Sequence, residues 1–110
     1  SGAMMVSLLG WYPDYIDPDD YTTPFLRSGS NKWLGNGYSN PTMDDILDKA
    51  ALELDQTKRA QLYKEAQLLL ADDVPIIPLI QGKLFIVTKP NIQVVVDPTM
   101  ILRYWAIRVS

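Results

Sequence analysis

The sequence predicts the α/β class and, within it, an α+β arrangement of one helical hairpin followed by short strands. Helix-start signals and one-sided apolar spacing occur twice between residues 40 and 70. Between residues 74 and 109, apolar β-branched runs alternate with Pro, Gly and Asp-Pro, which is typical of short strands and turns. Because the chain has 110 residues and 47% of them are apolar, it has material for one small core.

The first residues contribute little to this prediction. Residues 1–5 resemble a tag remnant followed by a start, and we leave them out of the fold. Residues 5–9 form a short apolar run that predicts a buried strand leading into the next segment.

An acidic-aromatic segment follows at residues 10–21, with four Asp, four aromatic residues and no Lys or Arg. Pro13 and Pro18 restrict the backbone, so we expect a stiff loop that holds Asp14 and Asp17 in place. Carboxylates beside aromatic rings suit a cation with an apolar body. The alternative is a strand-to-loop corner in which the rings belong to the core and the aspartates form turns.

Two helices are predicted after a loop at residues 22–40, in which Trp33 and Tyr38 are isolated anchors. Asn40 or Thr42 is expected to cap the first helix, and Asp55-Gln56-Thr57 is expected to break that helix and cap the second. The predicted buried face of the first helix comprises Met43, Ile46, Leu47, Ala50 and Leu54, and that of the second comprises Leu62, Tyr63, Ala66, Leu69 and Leu70.

The rest of the chain predicts extended structure. Residues 74–80 contain two prolines, which indicates an extended edge or crossover segment and not a central strand. Strands are predicted at residues 83–89, 91–96 and 101–109, with a turn at Asp97-Pro98 between the last two.

Composition excludes several function classes. The chain has no His and no Cys, so it cannot build a His-based triad, a cysteine protease site or a structural zinc site. Its net charge is −3, and Asp97 is the one acid after residue 80. Because phosphate binding needs clustered Lys and Arg, the acidic front of the chain argues against a nucleic-acid partner.

Five local patterns occur in one order along the chain. They are Trp-x-x-Asp-x-x-Asp-Pro-Asp from Trp11, Tyr-Ser-Asn-Pro-x-x-Asp from Tyr38, Arg-x-x-Leu-Tyr-x-x-Ala-Gln from Arg59, Asp-x-x-Pro-x-x-Pro-Leu from Asp72, and Asp-Pro at Asp97. Together they resemble the C-terminal region of the family 5 solute-binding proteins of ABC importers, a group of dipeptide, oligopeptide and nickel binders. The resemblance covers the chain after Met5.

The resemblance implies a two-lobed periplasmic-binding-protein-like fold, of which this chain holds the tail. Residues 6–80 would be part of the second lobe, and residues 81–110 would cross back to the first. It further implies a lipoprotein or periplasmic location, an importer permease as partner and a peptide or other small molecule as ligand. No enzyme activity, metal or cofactor is implied, and the fragment alone is expected not to bind ligand.

The resemblance also assigns roles by position. Asp14, three residues after Trp11, would form a salt bridge with the N-terminal ammonium of a peptide, and Trp11 would line the pocket. Tyr12 and Tyr15 flank Asp14 and complete the predicted ligand-binding set. The structural loop behind the site would be formed by Asp17, Pro18 and Asp19.

Three alternative functions for these residues have less support in the sequence. A calcium loop would use Asp14, Asp17, Asp19 and Asp20, but the spacing lacks the central Gly and closing Glu of an EF-hand. An acid–base pair of Asp14 and Asp17 has no supporting nucleophile or second acidic cluster. A helical-hairpin interaction module would use an apolar stripe that core packing explains equally well.

The missing sheet partners imply one more property. Residues 84–87 and 101–109 have high β-propensity, and in a fragment they would lack their neighbouring strands. We therefore expect the fragment to self-associate through these residues.

Overall fold

The computed structural model describes residues 7–110, which divide into two compact units. The first unit contains residues 7–9 and Asp17–Ile77, and the second contains Gly10–Ile16 and Pro78–Ser110. The described helices are α1 (Thr23–Leu26), α2 (Pro41–Leu52) and α3 (Gln56–Asp73), and the described strands are β1 (Ile92–Gln93) and β2 (Arg108–Val109).

The helical hairpin of α2 and α3 is confirmed, including both caps. Asn40 Oδ1 accepts hydrogen bonds from the backbone N–H groups of Thr42 (2.9 Å) and Met43 (3.4 Å). Asp55 Oδ1 accepts in the same way from Thr57 (2.8 Å) and Lys58 (3.1 Å). Each cap satisfies two backbone donors of a first helical turn, which explains why the helices begin where they do.

The core of the first unit lies between α2, α3 and α1. Its buried members are Leu26, Met43, Leu47, Ala50, Tyr63 and Ala66. Leu54 differs from expectation, since it is 91% exposed because α2 ends at Leu52, two residues earlier. The other predicted face residues that are not fully buried pack against the core while only partly buried, and they are Ile46, Leu62, Leu69 and Leu70.

Short helices occupy much of the predicted loop at residues 22–40. They are α1 and a 3-10 helix at Ser30–Leu34, both too short to produce a periodic apolar pattern. Trp33 donates its indole N–H to the Pro24 carbonyl (2.9 Å) and meets the Phe25 ring edge-on, with centroids 5.5 Å apart. The loop is therefore more regular than its composition indicates.

Polar contacts tie this region to the hairpin. Tyr38 Oη donates to Asp73 Oδ2 (2.7 Å), and Asn40 Nδ2 donates to the same oxygen (2.6 Å). Burial and the contact with Asp73 raise the pKa of Tyr38 to about 12. On the other side, Arg27 forms a two-pronged ion pair with Asp48, at 2.7 and 3.1 Å. The loop is thus fixed at the start of α2, along α2 and at the end of α3.

Helix α3 ends at Asp73, and its C-cap residue Val74 has a left-handed backbone (φ 47°) and donates its N–H to the Leu70 carbonyl (2.9 Å). Pro75 disfavours the helical conformation of the residue before it, so α3 cannot continue through Val74. Beyond this point residues 76–80 contain no strand or helix, as the prediction of an extended segment requires.

In the second unit, β1 and β2 pair antiparallel, with Ile92 opposite Val109 and Gln93 opposite Arg108. The Asp97-Pro98 turn is confirmed, since the Met100 N–H donates to the Asp97 carbonyl at 2.9 Å.

The strand predictions for the second unit are only partly correct. The strand predicted at residues 83–89 is wrong, because this stretch carries no strand and no described strand pairs with it. The strand predicted at 91–96 is reduced to β1 and a bridge between Val96 and Leu102, and the one predicted at 101–109 is interrupted by a 3-10 turn at Tyr104–Ala106.

The strand predicted at residues 5–9 falls partly outside the described residues. Residues 7–9, which are described, are exposed and carry no strand. Within residues 7–110, no helix has the length and apolar character needed to span a membrane.

Candidate ligand-binding loop

The acidic-aromatic segment is shared between the two units. Residues 10–16 belong to the second unit, and residues 17–21 belong to the first. The predicted ligand-binding residues are therefore all in the second unit, and the predicted structural residues Asp17, Pro18 and Asp19 are all in the first.

Residues 10–16 form a loop without helix or strand whose proline is its most buried residue. Pro13 is fully buried, while Asp14 beside it is exposed. Tyr12 is 62% exposed and Tyr15 47%, and Trp11 is partly buried. The loop thus presents an exposed carboxylate beside a buried proline, with partly exposed aromatic rings on either side in the sequence. Such a set of groups suits an ammonium group on an apolar body.

Residues 17–21 form a compact turn in which Asp17 caps a 3-10 helix at Pro18–Tyr21. Asp17 Oδ1 accepts a hydrogen bond from the Asp19 N–H (2.8 Å), and Pro18 occupies the first helical position. Asp19 Oδ1 in turn accepts from the Thr23 hydroxyl (2.6 Å). These side chains form the corner at the end of the segment.

Asp17 also binds Arg59, a residue 42 positions later in the chain. Arg59 Nη1 lies 2.9 Å from Asp17 Oδ2, and Arg59 Nη2 lies 2.5 Å from Asp17 Oδ1. The hydrogen-bonded guanidinium holds the pKa of Asp17 below its usual value, and the carboxylate raises the pKa of Arg59 further. The pair is therefore a charged, two-pronged ion pair.

The Arg59 side chain has two further hydrogen-bond partners besides Asp17. Its Nε donates to the Ala50 carbonyl in the last turn of α2 (3.0 Å), and Nη2 donates to the Tyr63 hydroxyl (3.1 Å). The guanidinium carbon also lies 5.1 Å from the centre of the Tyr63 ring. Arg59 thus joins the end of α2, the body of α3 and the corner at Asp17.

Sequence reasoning did not identify Arg59 as a partner of the acidic-aromatic segment. The i, i+4 spacing of Arg59 and Tyr63 on one helix is a readable signal for their contact. The ion pair with Asp17 has no comparable signal, because it joins residues far apart in sequence.

The contacts of Asp17 count against two of the alternatives. Both of its oxygens face Arg59, so they are not available to complete a calcium shell with neighbouring aspartates. A carboxyl whose pKa is lowered by a guanidinium is also a poor general acid. Among residues 7–110, no three His, Cys, Asp or Glu side chains are grouped in a way that could hold a metal ion.

Comparison with known proteins gives a consistent group of relatives. The peptide transport periplasmic protein SapA of Haemophilus influenzae is 32% identical over 88 residues, which are 78% of this chain and 16% of that protein. Di/tripeptide-binding protein 4 of Pseudomonas aeruginosa is 34% identical over 100 residues, which are 84% of this chain and 18% of that protein. The chain belongs to the family 5 solute-binding proteins.

Members of this family that match the chain differ in the ligand they are named for. Heme-binding protein A of Haemophilus influenzae is 29% identical over 96 residues, which are 84% of this chain and 17% of that protein. The chain spans less than a fifth of the length of these family 5 relatives. No protein-family profile matches it, and no solved structure matches it.

Proposed function

We propose that the chain is the C-terminal portion of an extracytoplasmic solute-binding protein that captures a peptide for an ABC importer. The observation that carries this proposal is the 34% identity to a di/tripeptide-binding protein over 84% of the chain. SapA, the other relative at more than 30% identity described above, is also named for peptide transport. In this proposal the importer permease is the protein partner.

Asp14 is the proposed receptor of the peptide's N-terminal ammonium. Its exposed carboxylate lies beside the fully buried Pro13, so the neighbouring backbone is anchored before a ligand arrives. Tyr12 and Tyr15 offer ring faces on either side, and Trp11 would contribute a partly buried pocket wall. Asp17, Pro18 and Asp19 form the turn that follows this set in the sequence.

The proposed lobe boundary lies at residue 80. Residues 6–80 would belong to the second lobe and residues 81–110 would return to the first. The division of the described chain between Ile77 and Pro78 supports a boundary in this region, whereas the grouping of Gly10–Ile16 with Pro78–Ser110 differs from the proposed division.

Replacing Asp14 by Asn in the full-length binding protein tests the proposed role. The amide keeps the shape of the side chain and removes its charge, so peptides with a free N-terminal ammonium should bind about tenfold more weakly or worse. The affinity for the N-acetylated forms of these peptides, which carry no ammonium, should fall much less. Isothermal calorimetry with one peptide in both forms measures the difference.

Two controls accompany this measurement. Asp72→Asn, at an exposed position near the end of α3, should leave both affinities unchanged. The 110-residue chain alone should show no low-micromolar binding, because a cleft needs both of its walls. Equal losses for the free and acetylated peptides in Asp14→Asn would make Asp14 structural and refute the proposed role.

The isolated 110-residue chain is also expected to self-associate through residues 84–87 and 101–109. Phe85 is 82% exposed and Val87 is 96% exposed, and pairing with a second copy would remove both from water. Sedimentation over a wide concentration range should show a dimer or larger species, and Val87→Lys should shift it toward monomer. Leu54→Lys, at a similarly exposed residue of the hairpin, is the matched control. A single monomeric species up to high micromolar concentration would contradict this expectation.

A further inference from the structure

The segment between the 3-10 helix at Ser30–Leu34 and α2 contains the one Asn-Gly pair of the sequence, Asn36-Gly37. Asn36 Oδ1 accepts a hydrogen bond from the Tyr38 N–H (3.1 Å), which closes a tight turn. Asn36 Nδ2 donates to the Pro75 carbonyl (3.3 Å). The side chain therefore ties this segment to the residues that follow α3, within the first unit.

We propose that Asn36 is a site of spontaneous deamidation whose products release this segment from the end of α3. In the first step the backbone nitrogen of Gly37 gives up its proton and attacks Cγ of Asn36. The N–Cγ bond forms, the Cγ–Nδ2 bond breaks, and Nδ2 leaves as ammonia after taking up one proton. A succinimide ring remains, and water adds to one of its two carbonyls and opens it. The sequence of steps consumes one water, releases one ammonia and requires no oxidant or reductant.

The surroundings of Asn36 favour the first step. Glycine presents no side chain to the attacking geometry, and a Cβ added at Gly37 would meet no described atom within 4 Å other than those of its chain neighbours. Within residues 7–110, the Gly37 N–H has no hydrogen-bond partner that would hold it away from Cγ. The Tyr38 N–H already donates to Oδ1, the oxygen on which negative charge develops during the attack. Asn36 is also exposed, so water and hydroxide reach it.

The other asparagines lack one or more of these features. Asn91 is exposed, but it precedes the β-branched Ile92, whose N–H donates to a backbone carbonyl at 3.0 Å. Asn31 is only 4% exposed, and its Nδ2 donates to a backbone carbonyl at 2.8 Å. Asn40 precedes Pro41, which has no N–H proton to lose.

The two products of ring opening change the structure to different degrees. An aspartate at position 36 can still accept from the Tyr38 N–H, but its carboxylate cannot donate to the Pro75 carbonyl. An isoaspartate carries the main chain through Cγ, so the turn to Tyr38 is lost as well. Because the Tyr38 hydroxyl donates to Asp73, the isoaspartate form loosens a second contact with the end of α3.

Incubation of the full-length protein at mildly alkaline pH, followed by peptide mapping with mass spectrometry, tests the modification. Trypsin should release residues 33–49 as one peptide, which contains both Asn36 and Asn40. Conversion at Asn36 should be at least about tenfold faster than at Asn91 and should rise with pH, because the attacking nitrogen must lose a proton. Asn40 should stay unchanged. Asn36→Gln, whose longer side chain does not form the succinimide ring, is the matched control and should leave position 36 unmodified.

Hydrogen exchange tests the structural consequence. The Tyr38 amide should exchange faster in aged protein enriched in isoaspartate, whereas Asn36→Asp, which keeps the acceptor, should leave that amide close to wild type. Both forms lose the contact with Pro75, so both should raise the exchange rate of the Val74 amide and leave the middle of α2 unchanged.

Two results would overturn the inference. Conversion at Asn36 that is no faster than at Asn91 would show that the surroundings of Asn36 do not favour the reaction. Conversion without a change in exchange at Tyr38 and Val74 would show that the products do not release the segment.

Discussion

Leu47→Ala is expected to lower the free energy of unfolding by about 2–5 kcal/mol. Leu47 is 1% exposed and belongs to the cluster between α1, α2 and α3, so truncation leaves a cavity in addition to the lost apolar contacts. Urea unfolding of the purified protein, followed by circular dichroism, measures the change. Leu47 is a sharper test of the hairpin core than Leu62, which is only partly buried.

The matched control for this prediction is Leu54→Ala. Leu54 is 91% exposed, and its truncation should change the free energy of unfolding by no more than about 0.5 kcal/mol. A loss below about 1 kcal/mol in Leu47→Ala would mean that the face of α2 turned toward α3 has been assigned incorrectly.

The second large effect is expected at Asp17. Asp17→Asn should lower the free energy of unfolding by about 1–3 kcal/mol at neutral pH, since it removes a charge-assisted pair that is partly screened by water. Arg59 lowers the pKa of Asp17 in the folded protein, so the unfolded state binds the proton more readily. The stability from this pair is therefore complete above the unfolded pKa of about 4 and is lost as pH falls through the folded value.

The measurement is a pH series of denaturant unfolding for both proteins. The difference in stability between wild type and Asp17→Asn should be constant from about pH 5 to 7 and should shrink at lower pH. The comparison cancels the acid destabilisation that other carboxylates contribute to both proteins. A difference that stays constant down to pH 2 would show that the carboxylate charge of Asp17 contributes nothing to stability.

The parts of the fold that sequence predicted are those encoded locally. Asn40 and Asp55 cap their helices with side chains that bond to backbone groups two or three residues away, so residue type and position suffice to predict them. The turn at Asp97 is local in the same sense. Such features can be predicted without knowing which distant parts of the chain come into contact.

The predictions that failed concern features that depend on residues far apart in the sequence. Residues 83–89 have the composition of a strand, but a strand exists only where a partner supplies hydrogen bonds, and none of the described strands does so. Likewise, the sequence around Asp17 predicts a turn and nothing more. Its ion pair with Arg59 joins residues 42 positions apart, so it depends on the tertiary fold and not on local sequence. The ligand role of Asp14 remains a prediction.

The ion pair between Asp17 and Arg59 creates a one-way dependence within the first unit. Helices α2 and α3 meet through residues close in sequence, and their caps at Asn40 and Asp55 lie within the same stretch. The corner at Asp17, by contrast, is attached to Arg59 in the first turn of α3. Opening that corner can leave the hairpin formed, whereas unwinding α3 at Arg59 breaks the ion pair that attaches the corner to α3. A substitution in the hairpin that alters the corner therefore does not show that the replaced residue touches the corner, whereas a substitution at Asp17 that spares the hairpin acts on the corner directly.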